Sequence, residues 1–425
     1  MLITRIKASN FYGIKETLEA DFTEGGEKEK IGYVNKGKER VSLISGFYGS
    51  NASGKSTVLN VIDTVIRIML SKQQDFVTNS NGINEETIIA FPNFSSDVKD
   101  KPTVLEMDFF FGDNKYNYLV SVVNDGKEIS EEVLYQNGKK IFSRNNHKVS
   151  LGEHIEKIIG DVVAKNIIAP KKSSFLSVLL DETSDISVFS NLKTEIGVSE
   201  LKEISNKICF ITDKRSVLMG QNNINGLVAF AINYLNSDIK TQVEKLGIVN
   251  SVVKYFEPTF ESLIIQKGSD DNPVNKSFSF TYEAKYNNFY KNLGIMELSA
   301  GTREIVAYIS DILKIIKNGG IVVYDETSKY YHPDMEVAIL NLFKDKDINK
   351  NNAQIFFSSH NHETFDLLQN DQAHILEKNT SGISVTKVSN YDVKERDNVK
   401  RIYRLGSLGG IPDTIDFSRI IHNIL

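Results

Sequence analysis

A short run rich in small residues near position 50 restricts this chain more than any other part of its sequence. The run reads Gly49-Ser50-Asn51-Ala52-Ser53-Gly54-Lys55-Ser56, followed by Thr57. It fits the pattern G-x-x-x-x-G-K-[ST] in full. The glycines permit a tight turn in which backbone N–H groups point inward at a phosphate group. The sequence therefore predicts a phosphate-binding loop here, with a Gly/Ser-rich surface turn as the plain alternative.

The segments on either side of the run support the phosphate-binding interpretation. Residues 41–46 form a short apolar stretch ended by glycine, which predicts a buried strand. Apolar residues recur at helical spacing from about Lys55 to Leu70, which predicts a helix. In that setting Lys55 would reach the β- and γ-phosphates of a nucleotide, and Ser56 would ligate Mg²⁺. The N-terminus of the helix would add favourable partial charge.

A second acidic segment lies far from the loop along the chain. The apolar run 322–324 ends in Asp325 and Glu326. Asp325 is placed to hold Mg²⁺ through water, and Glu326 to orient or deprotonate an attacking water. The alternative is that Asp325 and Glu326 are two solvated carboxylates at the start of a loop, which would give the same sequence pattern. Together with the phosphate-binding loop, however, the pair predicts the second half of a phosphoryl-transfer site.

Two shorter segments add candidate residues. His360 follows the apolar run 355–357, where its ring can hydrogen-bond a γ-phosphate or the catalytic water. Ser299 and Gly301 open an apolar-periodic helix, where a hydroxyl and free N–H groups form a second anion site. An ordinary serine N-cap is the alternative at that position.

Two parts of the chain show regular strand patterns. Residues 103–143 alternate apolar residues between turn signals at 112–114, 124–126 and 137–138, which predicts an antiparallel meander. From 297 onward, short apolar strands and helical patterns alternate, as expected of a parallel sheet covered on both faces.

The interval between these parts is different. It carries helical patterns, including 198–208 and 224–234, without sustained heptads, so a mostly helical insertion is expected rather than a coiled-coil arm. The predicted division is an N-terminal half of a nucleotide-binding head at 1–145, the insertion at 146–290 and a C-terminal half of the head at 291–425.

Composition excludes several classes of protein. A net charge of −5 argues against a broad surface that coats nucleic acid, although a local basic patch stays open. The single cysteine, Cys209, cannot form an internal disulfide, and its apolar neighbours predict a buried position. No stretch approaches the roughly 20 apolar residues of a membrane span, and the first residues do not resemble a signal peptide. The cytoplasm is therefore the expected location.

The order of these motifs resembles that of the ABC-type ATPase heads, which include the structural-maintenance and recombination ATPases. A finer resemblance is to the OLD-like (overcoming-lysogenization-defect) ATPases, and within them to the stand-alone AAA-15 ATP-binding proteins of bacterial defence loci. Three stretches carry it: the GxNASGKS loop at 49–56, Asp-Glu with a following His-Pro at 325–333, and Tyr-x-x-Gly with a following Gly-x-Pro at 403–412. It covers both ends of the chain, 1–145 and 290–425. The sequence departs from the family pattern at two places. Residues 299–302 read Ser-Ala-Gly-Thr, and Ser328 stands where many relatives have a second Glu.

The resemblance implies an α/β fold of the ABC/OLD type, a P-loop NTPase head with a mixed sheet core and an antiparallel β subdomain. It implies ATP and Mg²⁺ as ligands and ATP hydrolysis, with Glu326 and His360 at the attacking water, and the departures from the pattern predict a slow rate. It also implies a head-to-tail homodimer or larger oligomer, in which ATP on one protomer meets Ser299 and Gly301 of the other. The insertion would then serve dimerisation or partner docking.

The resemblance bears on partners as well. Relatives occur in anti-phage and abortive-infection systems, such as the PARIS, Septu and AbiL-like types, where the ATPase controls a separately encoded toxin, nuclease or Toprim-like effector. A similar effector is expected here. Two alternatives stay open: a DNA-repair ATPase that acts on DNA ends, and a scaffold that binds ATP but scarcely hydrolyses it.

Overall fold

A computed structural model gives the fold of the chain. It describes residues 1–24, 30–70, 76–78, 84–86, 88–93, 95, 100–159, 167–180, 201, 207–211, 226–267, 278–287, 289–327, 332–380, 382–394 and 397–411. The helix predicted for 198–208 falls mostly outside these residues, as do Ser328 and the final proline of the motif at 403–412.

The described strands, in chain order, are β1 (Leu2–Ser9), β2 (Leu18–Asp21), β3 (Thr23–Glu24), β4 (Tyr33–Lys36), β5 (Glu39–Ser42), β6 (Ile44–Tyr48), β7 (Phe76–Thr78), β8 (Asn84–Glu86), β9 (Thr103–Phe111), β10 (Asn114–Val123), β11 (Glu128–Gln136), β12 (Lys139–Asn145), β13 (Lys148–Leu151), β14 (Ile208–Ile211), β15 (Phe260–Lys267), β16 (Phe278–Tyr286), β17 (Phe289–Gly294), β18 (Ile321–Tyr324), β19 (Gln354–Ser358), β20 (Ala373–Asn379) and β21 (Gly382–Lys387). The described α-helices are α1 (Lys55–Leu70), α2 (Glu153–Ile159), α3 (Phe175–Leu180), α4 (Gly226–Leu235), α5 (Ile239–Phe256), α6 (Ala300–Asn318), α7 (Pro333–Lys344) and α8 (Val399–Arg404). Among them, no helix has both the length and the apolar character needed to cross a membrane.

A mixed sheet of six strands lies at the centre, in the order β14-β18-β19-β6-β20-β21. The first five strands are parallel, and β21 is antiparallel to β20. Every residue of β6, β18 and β19 is buried, because α1 packs on one face of the sheet and α6 on the other. The α/β fold and the alternation of strands and helices expected after residue 297 are confirmed. The strand β6 lies between two strands from the C-terminal part of the chain.

The predicted meander is confirmed and extended. Strands β9 to β13 form one antiparallel sheet with β1 and β2, in the order β13-β12-β11-β10-β9-β1-β2. Asn124, Asp125 and Asn137 have positive φ angles in the connecting turns. These are residue types that tolerate such angles, so the turn signals in the sequence were reliable.

A buried ion pair fastens this antiparallel sheet to α3. Arg144 on β12 lies 3.6 Å from the carboxylate of Glu132 on β11, and both side chains are fully buried. Glu132 also accepts the N–H of Phe175, the first residue of α3, at 2.7 Å. The hydroxyl of Ser174 donates to Ile68 O in the last turn of α1 at 2.7 Å. The helix that follows the phosphate-binding loop is thereby held to the meander.

The single strand predicted for residues 41–46 is wrong in its extent. The apolar run belongs to two strands, β5 and β6, which are separated at Leu43. β5 pairs with β3 and β4 in a small antiparallel sheet, whereas β6 joins the central sheet. A continuous apolar run does not reveal where the chain passes from one sheet to another. The helix predicted from Lys55 to Leu70 has the expected bounds.

A buried glutamine joins the central sheet to the first strand of the chain. The side chain of Gln354 accepts the N–H of Ile3 at 2.8 Å and donates to Ile3 O at 2.9 Å, across 351 positions of sequence. The same amide donates to Ser42 O at 2.8 Å. One side chain therefore holds strands of three different sheets together.

The interval 146–290 contains more strand than predicted. β14 joins the central sheet beside β18, and β15, β16 and β17 form a separate antiparallel sheet whose apolar side chains pack with those of α5. The helical pattern that ended at Ile208 is therefore wrong at its end, since Ile208 begins β14. Cys209 is buried in that strand, as expected. The boundaries of the three predicted domains stay a prediction.

Candidate active site

The predicted phosphate-binding loop connects β6 to α1 at the carboxyl end of a central parallel strand. Gly54 has a φ of 106°, which favours glycine. A Cβ atom at Gly54 would lie 2.5 Å from Ile383 Cδ1, and one at Gly49 would lie 2.6 Å from Leu376 O. Both distances are shorter than van der Waals contact, so the packing of the loop on β20 and β21 requires these two glycines.

The Lys55 side chain is folded over the loop. Its ammonium donates to Gly49 O at 2.9 Å and to Ser50 O at 3.0 Å. Burial lowers the pKa of Lys55 below its ordinary value, while the charges of Asp325 and Glu326 act in the opposite direction. A phosphate group would offer this ammonium a charged acceptor in place of neutral carbonyls, and such a hydrogen bond is stronger.

The two predicted carboxylates follow β18 directly, and Ser358 at the end of the neighbouring β19 contacts both residues. The Ser358 hydroxyl donates to Asp325 Oδ1 at 2.5 Å and accepts the N–H of Glu326 at 2.8 Å. The Asp325 N–H donates to Ile211 O on β14 at 2.9 Å. Glu326 has a φ of 55° and an exposed side chain. A glutamate is uncommon at such an angle, and conformations of this kind cluster at functional sites.

His360 follows β19 and is close enough to the loop for their charges to interact. Burial lowers the pKa of His360, and the positive charge of Lys55 lowers it further, whereas Asp325 opposes the change. The ring is therefore neutral near pH 7, so it can donate one hydrogen bond and accept another.

A cleft of about 840 Å³ brings these groups together. Its described lining includes the loop and helix start from Asn51 to Thr57, and also Glu326 and His360. Gly49, Ser50 and Asp325 are not part of this lining, although the charge of Asp325 acts on both Lys55 and His360. Segments that are distant in the sequence thus meet at one edge of the central sheet, as parallel strands require.

The donor set fits Mg²⁺. In the described part of the chain, no group of three or more His, Cys, Asp or Glu side chains could hold a metal ion. Mg²⁺ in phosphoryl-transfer sites usually takes one or two protein ligands, several waters and the phosphates of the substrate. The hydroxyl of Ser56 and the carboxylate of Asp325 are the oxygen donors of that type.

Ser299 and Gly301, the second predicted anion site, lie outside the cleft lining. Ser299 is the N-cap of α6, where its hydroxyl accepts the N–H of Thr302 at 3.1 Å, and Gly301 is buried in the first turn. This arrangement is that of an ordinary serine cap. A role for Ser299 and Gly301 toward a nucleotide on a second copy stays a prediction.

Sequence reasoning missed several residues of this region. Ser358 gives no signal in the sequence, because its role depends on β19 lying beside β18. Tyr12, Phe91 and Lys378 also line the cleft, and the Tyr12 and Phe91 ring centroids are 5.1 Å apart.

Comparisons with known proteins agree with the class of the site. Residues 44–146, which begin at β6 and include the phosphate-binding loop, match the family described as "AAA domain, putative AbiEii toxin, Type IV TA system". No curated protein matches the chain.

Two solved structures are similar in fold. One is an SMC head domain from Thermotoga maritima, with 11% identity, a TM-score of 0.38, and coverage of 91% of this chain and 99% of that chain. The other is an SMC head bound to the C-terminal winged-helix domain of ScpA, with 11% identity, a TM-score of 0.37, and coverage of 91% and 97%.

The loop, the parallel sheet around it and the acidic strand define the class of this protein. It is an α/β protein of the P-loop type, with a mixed central sheet and an antiparallel β subdomain, and its residues 44–146 are similar to an AAA domain. The finer OLD-like and AAA-15 assignment stays a prediction.

Proposed function

We propose that the protein binds ATP with Mg²⁺ in this cleft and hydrolyses it to ADP and phosphate. The observation that carries the proposal is that Glu326 and His360 line the same cleft as Lys55 and Ser56. A phosphate-binding loop alone supports binding. A carboxylate and a neutral imidazole in the same cleft supply the groups that hydrolysis needs.

Each of these groups has a defined task in the proposed reaction. The loop N–H groups and Lys55 bind the β- and γ-phosphates, while Ser56 and Asp325 hold Mg²⁺. The ion, when bound, neutralises charge on the phosphate oxygens. Glu326 orients the attacking water and accepts its proton, while the neutral ring of His360 donates a hydrogen bond to the γ-phosphate and accepts one from that water.

A second copy of the chain completes the proposed site. Ser299 and Gly301 lie at the N-terminus of α6, outside the cleft lining of their own chain. A helix N-terminus with a small residue beside it suits an anion. In a head-to-tail pair, this end of one protomer would face the γ-phosphate held by the other.

The test of hydrolysis is the isosteric change Glu326→Gln. We expect kcat to fall by roughly 100-fold or more, because general-base catalysis contributes factors of about 10² to 10⁴. Affinity for ATP should stay within a few-fold, since the loop is untouched. Phosphate release and the fluorescence of a labelled ATP analogue measure the two quantities. Glu131→Gln, an exposed carboxylate on β11, is the matched control. Equal and negligible rates for wild type and Glu326→Gln would favour the ATP-locked scaffold instead.

We also propose a biological setting, which is the cytoplasmic control of a separately encoded effector in anti-phage defence. It is supported by the motif resemblance and by the match of residues 44–146 to a family whose description includes a putative AbiEii toxin. Expression of the locus in a phage-sensitive host should reduce plaque formation, and Lys55→Ala should abolish the protection. Protection that persists in Lys55→Ala would count against a nucleotide-dependent role.

A further inference from the structure

A buried carboxyl group lies behind the two segments that carry Glu326 and His360. Glu336, in the first turn of α7, is only 1% exposed. One of its oxygens is hydrogen-bonded to the hydroxyl of Thr327. The other accepts a hydrogen bond from Asn361 Nδ2 at 2.9 Å. No sequence pattern singled out this residue.

The partners of Glu336 stand directly after the two groups proposed to act on the water. Thr327 follows Glu326, and Asn361 follows His360. The carboxyl of Glu336 thus bridges the segment after β18 and the segment after β19. The Thr327 hydroxyl also contacts Ser358 O at 3.0 Å, so the bridge continues to the residue that holds Asp325 and Glu326.

A helix start alone does not explain this arrangement. An acidic residue in the first turn of a helix is favourable, but an exposed carboxylate such as Asp334 provides that interaction without loss of hydration. Burial raises the pKa of Glu336, and the hydrogen bonds from Thr327, Ser359 and Asn361 only partly offset this. Burying this carboxyl group is energetically unfavourable. Such a group is expected where its hydrogen bonds specify one arrangement of its partners.

We propose that Glu336 is a positioning residue, which fixes Glu326 and His360 relative to each other through Thr327 and Asn361. The inference rests on the proposed hydrolysis at this cleft. Without the Glu336 carboxyl, the segments after β18 and β19 keep their places on the sheet. The position of Glu326 relative to His360 is then no longer fixed by hydrogen bonds. Displacement of reacting groups by about 1 Å can cost on the order of 100-fold in rate.

Three variants test the inference by their kcat and KM for ATP. Glu336→Ala removes the bridge, and kcat should fall by roughly 10- to 100-fold with little change in KM, because the phosphate-binding loop is not touched. Glu336→Gln keeps an oxygen acceptor for Asn361 and provides an N–H donor toward Thr327, so it should stay closest to wild type. Thr327→Val removes only the hydroxyl and should lower kcat in the same direction. It also serves as the test if Glu336→Ala does not fold.

A double variant separates positioning from general damage. If Glu336 acts through His360, then Glu336→Ala should lower kcat much less in a His360→Ala background than in wild type. An unchanged kcat in Glu336→Ala and Thr327→Val, with hydrolysis by wild type intact, would overturn this inference and leave the proposed function standing. Equal losses from Glu336→Gln and Glu336→Ala, or full additivity with His360→Ala, would also overturn it. Absence of hydrolysis by wild type would overturn both proposals.

Discussion

The charged form of Lys55 is disfavoured in the free protein, and a negatively charged ligand would stabilise it. Its ammonium is buried, which disfavours the charged form, and its hydrogen bonds go to two neutral carbonyls of the loop. Asp325 and Glu326 compensate part of the cost from a distance. A polyphosphate would supply the missing negative charge at the position where the loop N–H groups also converge.

At this scale the first prediction concerns Lys55→Ala. The variant should lose at least about 100-fold in affinity for ATP, since charge-assisted hydrogen bonds to a phosphate are lost in a partly buried site. Calorimetric titration with ATP and Mg²⁺ measures the loss. Lys314→Ala, an exposed lysine on α6, is the control and should bind as wild type does. Tight binding in Lys55→Ala would contradict the assignment of the loop.

The second prediction concerns the pH dependence of hydrolysis through His360. Burial and the positive charge of Lys55 lower the pKa of His360 from the ordinary histidine value, so the neutral ring dominates at pH 7 and above. The rate should therefore be insensitive to this group between about pH 7 and 8 and fall as the pH drops below roughly 6.5. In His360→Gln this acid limb should disappear or move to lower pH.

His362 provides the control for that profile. Its pKa is also lowered by burial, but its ring packs against Tyr403 and is not part of the cleft lining. His362→Gln should keep the acid limb of wild type. If the acid limb is lost in His362→Gln and kept in His360→Gln, the titrating group is His362 and the prediction is wrong.

At the scale of elements, the sequence predicted what depends on local pattern and missed what depends on neighbours. The meander was predicted because asparagine, aspartate and glycine mark its turns, and α1 because its apolar spacing is regular. β14 has four residues, and only its pairing with β18 makes it part of the central sheet. The loop, the acid pair and His360 were found as separate motifs, but the contacts of Ser358 and Glu336 required the strand order.

A third prediction concerns the buried pair that holds α3 to the meander. Arg144→Met should lower the free energy of unfolding by about 3–5 kcal/mol, because it leaves the buried Glu132 without its charge partner. Combining it with Glu132→Gln should cost less than the sum of the single changes. Urea unfolding followed by tyrosine fluorescence measures this, since the chain has no tryptophan. Lys7→Met, which removes a partly exposed pair with Glu19 on the same sheet, should cost about 1 kcal/mol or less.

At the scale of the whole molecule, the residues of the proposed site fall into two groups that do not line the same cleft of one chain. One chain supplies the loop, the acids and His360. In the proposed pair, the start of α6 at Ser299 would contact the nucleotide of another copy. Closed two-fold pairs are the commonest form of soluble assembly. In such a pair, each nucleotide would be contacted by both protomers.

The fourth prediction follows from that arrangement. Lys55→Ala and Ser299→Glu should each abolish hydrolysis, the second because it places a negative charge at the γ-phosphate. An equal mixture should recover about a quarter of wild-type activity, since a mixed dimer holds one intact site. Rates of phosphate release before and after mixing measure the recovery. No recovery, with exchange of protomers shown by light scattering or labelling, would contradict the shared site.

The position of β6 between β19 and β20 has a consequence for synthesis on the ribosome. The strand that leads into the phosphate-binding loop emerges early, but its two neighbours in the sheet are residues 354–358 and 373–379. Until those residues emerge, the nascent chain carries the motif without a cleft around it. Nucleotide therefore cannot act as an early folding ligand, and completion of the sheet depends on contacts of very large sequence separation, which form slowly.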